Sequence, residues 1–314
     1  MKRVLITDYV HPDLVEGLEG MGYSVNYDRN YPPELLEDVL PELHGIVVNT
    51  KSRMTRKRIE SAGKLEFIAR LGSGLDIIDL EAAEERGIAI INTPEGNCDA
   101  VAEHVIGMML CLANNLRHAD RQVREKIWER EKNRGFELAG KKLGIVGMGN
   151  TGCALAHKLS TWGLKLMYYD PYVEDLPGSF EFITKLSWSE LIEQADIISF
   201  HVQFTKETHH MADEDFFKKC KEGLILVNSS RGAVVDTEAM VGALQSGKLG
   251  GACLDVFENE KPGSFTPKEE ELYSRLFSME NVVLSPHIAG WTHESLQRIA
   301  HVMLQKLQTH VKMS

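Results

Sequence analysis

The stretch Lys142-Leu143-Gly144-Ile145-Val146-Gly147-Met148-Gly149-Asn150-Thr151-Gly152 decides how this chain is read. An apolar run is followed at once by Gly-x-Gly-x-x-Gly and then by a helical pattern through Ala154, Leu155 and Leu159. That order is strand, tight turn, helix. Gly147 permits the turn, Gly149 allows a pyrophosphate to approach the backbone, and Gly152 allows the helix to pack closely on the strand. Phosphates would sit on free N–H groups at the positive end of the helix dipole, beside Asn150 and Thr151. A further apolar run, residues 164–169, ends in Asp170, close to the roughly 20-residue offset at which an acid meets a ribose 2′-hydroxyl. Together these features predict a dinucleotide site.

Composition limits what else the chain can be. Its 314 residues suit two domains. Apolar content of 43% and charged content of 26% are ordinary globular values. With 35 basic and 46 acidic residues the formal charge is −11, which argues against a polyanion such as nucleic acid. Five widely spaced cysteines with no CxxC form neither a disulfide framework nor a zinc site, so no metal is expected and a cytoplasmic location fits. No apolar 18-mer or cleavable signal opens the chain, so no membrane association is expected.

Short apolar runs at residues 4–7, 24–27, 45–48, 65–69 and 88–91 alternate with helical patterns at 12–20, 32–40, 55–62 and 79–86. A longer helical pattern covers residues 98–117, and a charged stretch, 120–134, reads as a solvated or subunit-facing arm. A second alternating series places strands at 143–146, 164–169, 197–202, 224–229, 252–256 and 282–284. The expected class is α/β, with two doubly wound parallel-sheet domains: a Rossmann cofactor domain inserted in a flavodoxin-like substrate domain. The cofactor domain spans 94–290. The substrate domain is discontinuous, 1–93 plus 291–314, because the final helical segment is too short to stand alone.

Three polar residues follow successive strands of the second series: Arg231, Glu260 and His287. Ligands of open α/β sheets bind at the carboxyl ends of strands, so these side chains could share one crevice. An Arg offers a planar fork for a carboxylate, a His exchanges protons near neutral pH, and a Glu beside it favours the imidazolium. The set suits hydride transfer to a 2-oxo acid. Arg231 would hold the carboxylate and polarise the carbonyl while His287 delivers a proton to the developing alkoxide.

Over nearly its whole length the chain resembles the D-specific 2-hydroxyacid dehydrogenases of the phosphoglycerate/glycerate dehydrogenase type. The resemblance rests on residues 69–76 (ARLGSGLD), Asn92-Thr93-Pro94 with Asn97 and Val101-Ala102-Glu103, and the glycine turn. It continues through Asn228-Ser229-Ser230-Arg231-Gly232, Leu254-Asp255-Val256-Phe257 and residues 285–290 (SPHIAG). It implies a catalytic triad of Arg231, Glu260 and His287, and substrate carboxylate binding around Ser73 and Gly74, with Arg231 and His287 also touching substrate. On the cofactor side it implies Val101, Thr205, Ser230 and Asp255, besides Gly147, Gly149, Asn150, Thr151, Gly152 and Asp170. A homodimer is the family expectation.

There are departures from the pattern. The family's His-x-Pro-x-Thr reads His201-Val202-Gln203-Phe204-Thr205 here, and Lys261 intervenes between Glu260 and Pro262. Neither removes a reacting group; both bear on loop geometry. Asp170 places a carboxylate where a 2′-phosphate would sit, so NAD is the expected cofactor. In phosphoglycerate-acting relatives an Arg in the loop after the third strand meets the phosphate; Lys51 or Arg53 could serve here. D-3-phosphoglycerate is therefore one candidate substrate, and hydroxypyruvate or glyoxylate, as in glycerate reductases, is the alternative. The 27 residues after His287 leave no room for the regulatory domain of longer phosphoglycerate dehydrogenases, so serine feedback is not expected. Formate dehydrogenases pair the His with Gln instead of Glu, and the NAD-sensing corepressors are a distant alternative.

Overall fold

The computed structural model describes residues 1–313, with side chains through His310. The chain divides into two compact units, Met1–Cys98 with Trp291–Ser314, and Asp99–Gly290.

The first unit is built on a five-stranded parallel sheet: β1 (Lys2–Ile6), β2 (Tyr23–Tyr27), β3 (Gly45–Val48), β4 (Phe67–Arg70) and β5 (Ala89–Asn92), ordered β2-β1-β3-β4-β5. That is the flavodoxin order. Strand alternation sends neighbouring residues to opposite faces. Leu5, Ile46 and Ile68 pack with Leu36, Ile59 and Ala82 on one side. Val4, Ile6, Val47 and Phe67 pack with Leu14, Leu18, Met303 and Leu307 on the other. Covered on both faces, the central strand β3 is apolar and buried throughout (GIVV).

The C-terminal helix His293–Met313 belongs to this unit because its apolar stripe, Ile299, Ala300, Met303 and Leu307, completes that second face. Full burial of a side chain such as Leu307 contributes roughly 2 kcal/mol. Two glycines admit the helix. A Cβ on Gly96 would lie 2.8 Å from Ile299 Cα, and one on Gly17 would lie 2.4 Å from a Leu304 methyl. Lys306 then pairs with Glu95 at 2.9 Å.

The second unit carries seven parallel strands: β6 (Lys142–Val146), β7 (Lys165–Tyr169), β8 (Ile183–Lys185), β9 (Ile197–Phe200), β10 (Leu224–Asn228), β11 (Leu249–Leu254) and β12 (Val282–Leu284). Their order, β12-β11-β10-β9-β6-β7-β8, is the doubly wound Rossmann arrangement with its reversal between β6 and β9. Sequence periodicity accounts for six of them. It misses β8, three residues at the sheet edge of which only Ile183 is buried. One apolar side chain makes no period.

The helical pattern expected over 98–117 is also corrected. The helix begins earlier, running Pro94–Ala113, and breaks at Asn115, whose φ of 51° is left-handed; a second helix, Leu116–Arg124, follows. Asn is among the few residues that adopt this conformation readily, so Asn114-Asn115 ends the first helix. The pattern at 32–40 resolves into short 3-10 and α turns over residues 33–42, interrupted by Pro41. Among the described residues no helix is long and apolar enough to cross a membrane.

Candidate functional site

The glycine turn follows β6. Gly147 has φ +93°, and a Cβ there would stand 2.6 Å from the His201 carbonyl oxygen. Gly152 is tighter still, its imagined Cβ 2.1 Å from Gly147 O. Gly149 is the opposite case, with nothing within 4 Å of the added atom. The turn is therefore closed on its inner side and clear on its outer one. No side chain caps the helix Asn150–Leu159 behind it, which leaves its first N–H groups for an anion. These residues fit a dinucleotide pyrophosphate.

Asp170, at the end of β7, is buried and does structural work as well. One carboxylate oxygen accepts the Met148 N–H at 2.8 Å, and the other accepts the Tyr172 N–H at 2.9 Å. It thus ties the glycine turn to the neighbouring strand. A carboxylate has about four acceptor positions, so some remain for a ribose hydroxyl.

His201 closes the floor of the turn. Its N–H donates to Val146 O at 2.7 Å and its Nε2 lies 2.8 Å from Ser199 Oγ. Loss of water around the ring pushes its pKa down to about 4, so it is neutral at physiological pH. In the loop beyond, where Gln203 replaces proline, hydroxyls hold the shape. Thr208 Oγ1 donates to Gln203 O at 2.7 Å, and Thr205 Oγ1 accepts the Glu207 and Thr208 N–H groups at 3.2 and 3.3 Å.

Arg231 follows β10, in a turn clamped by Asn228. Asn228 Oδ1 accepts from the Ser230 N–H and hydroxyl at 3.0 and 2.8 Å, while its amide donates to Arg231 O at 2.9 Å. Asn228 is 1% exposed, which makes the clamp rigid. Gly232 then presses against the loop that carries Glu260. A Cβ on Gly232 would lie 1.9 Å from Phe257 C and 2.4 Å from Glu258 N. Only glycine permits the Arg231 turn and the Glu260 loop to touch backbone to backbone.

Glu260 and His287 meet directly, with Nδ1 2.9 and 3.1 Å from the two carboxylate oxygens. Burial pushes the Glu260 pKa up, but the His287 hydrogen bond and charge, the Phe257 N–H and the Arg231 charge outweigh it, and the net shift is downward. Glu260 is thus held as a carboxylate. It can only accept, so Nδ1 carries a proton and Nε2 is the nitrogen left to exchange one. His287 adopts φ +56°, unusual for a side chain with a Cβ. Its N–H donates to Asp255 O at 2.7 Å, and the Asp255 side chain accepts the Ile288 and Ala289 N–H groups at 2.9 and 2.8 Å. Val101 is half-buried on the helix Pro94–Ala113.

In the first unit, Ser73 and Gly74 follow β4 in a half-exposed turn. Thr93 Oγ1 accepts the Gly72 N–H at 2.8 Å and the Asn92 amide donates to Ser73 O at 2.9 Å. Lys51 is already engaged within its unit. Its ammonium donates to Arg29 O and lies 3.9 Å from Asp8 Oδ1. The Arg53 side chain is exposed.

Sequence reading passed over Asn228, Ser285 and Glu258 as individuals. Glu258 accepts from the Thr237 N–H at 2.9 Å and lies 2.7 Å from His210 Nε2, which pins the Glu260 loop from its other side. Asn228 and Ser285 stood inside quoted motifs, but only the folded turns reveal what they hold.

Comparison with known proteins gives the family. Residues 106–289 match the family model described as D-isomer specific 2-hydroxyacid dehydrogenase, NAD binding domain. The chain is 33% identical over 310 residues to a D-3-phosphoglycerate dehydrogenase of Archaeoglobus fulgidus, covering 99% of this chain and 57% of that one. It is 36% identical over 272 residues to a hydroxypyruvate reductase of Thermotoga maritima, covering 87% and 86%. It thus spans little more than half of the phosphoglycerate dehydrogenase. Among solved structures, the D-lactate dehydrogenase of Aquifex aeolicus, complexed with NAD and lactic acid, superposes with a TM-score of 0.86 at 29% identity, covering 99% of this chain and 96% of that one.

Proposed function

The chain belongs to the D-isomer-specific 2-hydroxyacid dehydrogenase family and carries its NAD-binding domain, and we propose that it interconverts D-2-hydroxy acids and 2-oxo acids with NAD. The observation that carries this reading is the pairing of His287 Nδ1 with both oxygens of Glu260, in a loop jammed against the Arg231 turn. A permanently charged fork, a proton-exchanging imidazole and its carboxylate partner are the groups a carbonyl reduction needs.

In the direction of reduction, Arg231 grips the substrate carboxylate and draws charge from the carbonyl. His287 Nε2 donates a proton to the forming alkoxide, and Glu260 steadies the imidazolium beforehand. In the oxidative direction the same nitrogen accepts that proton. Gly147, Gly149, Asn150, Thr151 and Gly152 would hold NAD(H), which would supply the hydride chemistry. Asp170 favours NAD over NADP because a 2′-phosphate would meet a carboxylate. Val101, Thr205 and Ser230 would border the cofactor and Ser73 and Gly74 would receive the substrate carboxylate, whereas Asp255, 1% exposed, instead supports the His287 turn from behind through Ser285, Ile288 and Ala289.

For the substrate, the engagement of Lys51 with Arg29 O and Asp8 favours an unphosphorylated acid. A cation already offset by a carboxylate is a poor phosphate anchor. On the Lys51 side hydroxypyruvate or glyoxylate is thus preferred over phosphohydroxypyruvate as the oxo substrate, and of the two cations the exposed Arg53 is the remaining phosphate anchor.

A homodimer and a cytoplasmic location complete the proposal. Exposed Leu116, Val123, Ile127 and Trp128 offer an apolar arm to a second copy, and five widely spaced cysteines with no CxxC suit a reducing compartment. The test is a substrate panel following NADH absorbance with hydroxypyruvate, glyoxylate, pyruvate and phosphohydroxypyruvate, with sedimentation alongside. Turnover of the small unphosphorylated acids is expected. Preference for phosphohydroxypyruvate overturns the Lys51 argument, and no turnover on any acid overturns the activity.

A further inference from the structure

The turn that carries His287 rests on one residue. Asp255, 1% exposed, accepts from the Ser285 hydroxyl and the Ile288 N–H on Oδ1, at 2.6 and 2.9 Å, and from the Ala289 N–H on Oδ2 at 2.8 Å. Its carbonyl accepts the His287 N–H at 2.7 Å. Residues 285–289 are therefore gathered around a single buried carboxylate. A left-handed backbone at a non-glycine residue costs about 1 kcal/mol or more, so the φ of +56° at His287 persists only while such a clamp holds.

Behind Ser285 stands His104, 181 residues earlier, on the helix Pro94–Ala113. Its Nε2 is 2.9 Å from Ser285 Oγ and 3.7 Å from Asp255 Oδ1. The protons have one consistent arrangement. A carboxylate only accepts, so the single Ser285 proton goes to Asp255; the weaker alternative, Met108 Sδ at 3.8 Å, cannot compete with a charge. Ser285 Oγ must then accept from His104, which fixes the hydrogen on His104 Nε2.

We propose that His104 is a positioning residue for His287, acting through Ser285 and Asp255. It orients the Ser285 hydroxyl toward Asp255, the carboxylate stays seated, and the turn keeps His287 aimed with Nδ1 on Glu260. The proposal rests on the acid–base role assigned to His287 above.

The test compares wild type, His104→Leu, His104→Gln and Ser285→Ala in the full chain. In H104L, kcat for 2-oxo acid reduction falls about tenfold or more while the KM for NADH stays within about twofold, as a misplaced reacting group requires. H104Q, whose amide keeps an N–H donor, recovers most of the loss. The imidazole 15N signals of His287 at fixed pH move in H104L and S285A and return in H104Q. Wild-type kcat and unmoved His287 signals in H104L overturn the proposal, as does failure of H104Q to restore either readout. If the wild-type chain turns over no 2-oxo acid, the functional reading falls, and the His287 signals alone still decide the role of His104.

Discussion

Glu260 presents both carboxylate oxygens to one nitrogen of His287, at 2.9 and 3.1 Å from Nδ1. The pair is a charge relationship more than a strut, since about two-fifths of each side chain is exposed (39% for both). In Glu260→Gln the amide can accept a hydrogen bond but cannot offset an imidazolium. Reduction should therefore slow by about tenfold or more in kcat, with NADH affinity retained. Stability follows the same partner. Because the Glu260 pKa is held below its ordinary 4.5, the stabilisation is present above pH 4.5 and is lost as pH falls through the lowered value. Exposure keeps it to about 1 kcal/mol or less. Wild-type kcat in E260Q would remove Glu260 from this role.

Gly232→Ala tests the contact between the Arg231 turn and the Glu260 loop. The added Cβ would meet Phe257 C at 1.9 Å, and backbone cannot swing away as a side chain can. The two segments must separate, misplacing the guanidinium relative to His287. A fall in kcat/KM of about 100-fold is expected, with NADH affinity retained. Fluorescence titration and steady-state kinetics check both halves, and wild-type kinetics in G232A would show the contact to be idle.

Asp170→Ala removes both the carboxylate that disfavours a 2′-phosphate and the acceptor for the Met148 N–H. NADH binding should weaken by about tenfold, the loss of one charge-assisted hydrogen bond. NADPH should weaken less, so the NADH/NADPH affinity ratio narrows. Parallel titrations of the two cofactors measure that ratio, and an unchanged value contradicts the assignment.

His201 predicts an acid sensitivity of the fold. Its ordinary pKa of 6.5 is pushed down to about 4, so above pH 6.5 the neutral ring costs nothing, and as pH falls toward 4 the unfolded chain gains a proton that the folded one refuses. Up to about 3 kcal/mol is lost across that window. His201→Gln should lose less between pH 7 and pH 5 in urea denaturation. Equal losses in the two proteins would mean that water reaches the ring.

Much of this was legible in the sequence because parallel sheets covered on both faces leave apolar runs, and β1, β3, β6, β9 and β10 are such runs. The glycine turn was legible because Gly147 and Gly152 each answer a steric demand set within a few residues. What escaped depends on packing or on long-range partners. β8 buries one residue, and the helix break at Asn115 interrupts an apolar period that continues past it. His104 meets Ser285 across 181 residues, and Lys51 meets Asp8 only once β1 and β3 lie side by side. No spacing rule reaches those distances.

The most direct measurement is NADH oxidation by His287→Ala and Arg231→Ala beside wild type, on the acid that wild type reduces best, with NADH binding titrated for each protein. The expected result is a fall in kcat/KM of about 1,000-fold or more in both variants, with NADH affinity unchanged. Near-wild-type turnover in either variant would contradict the account.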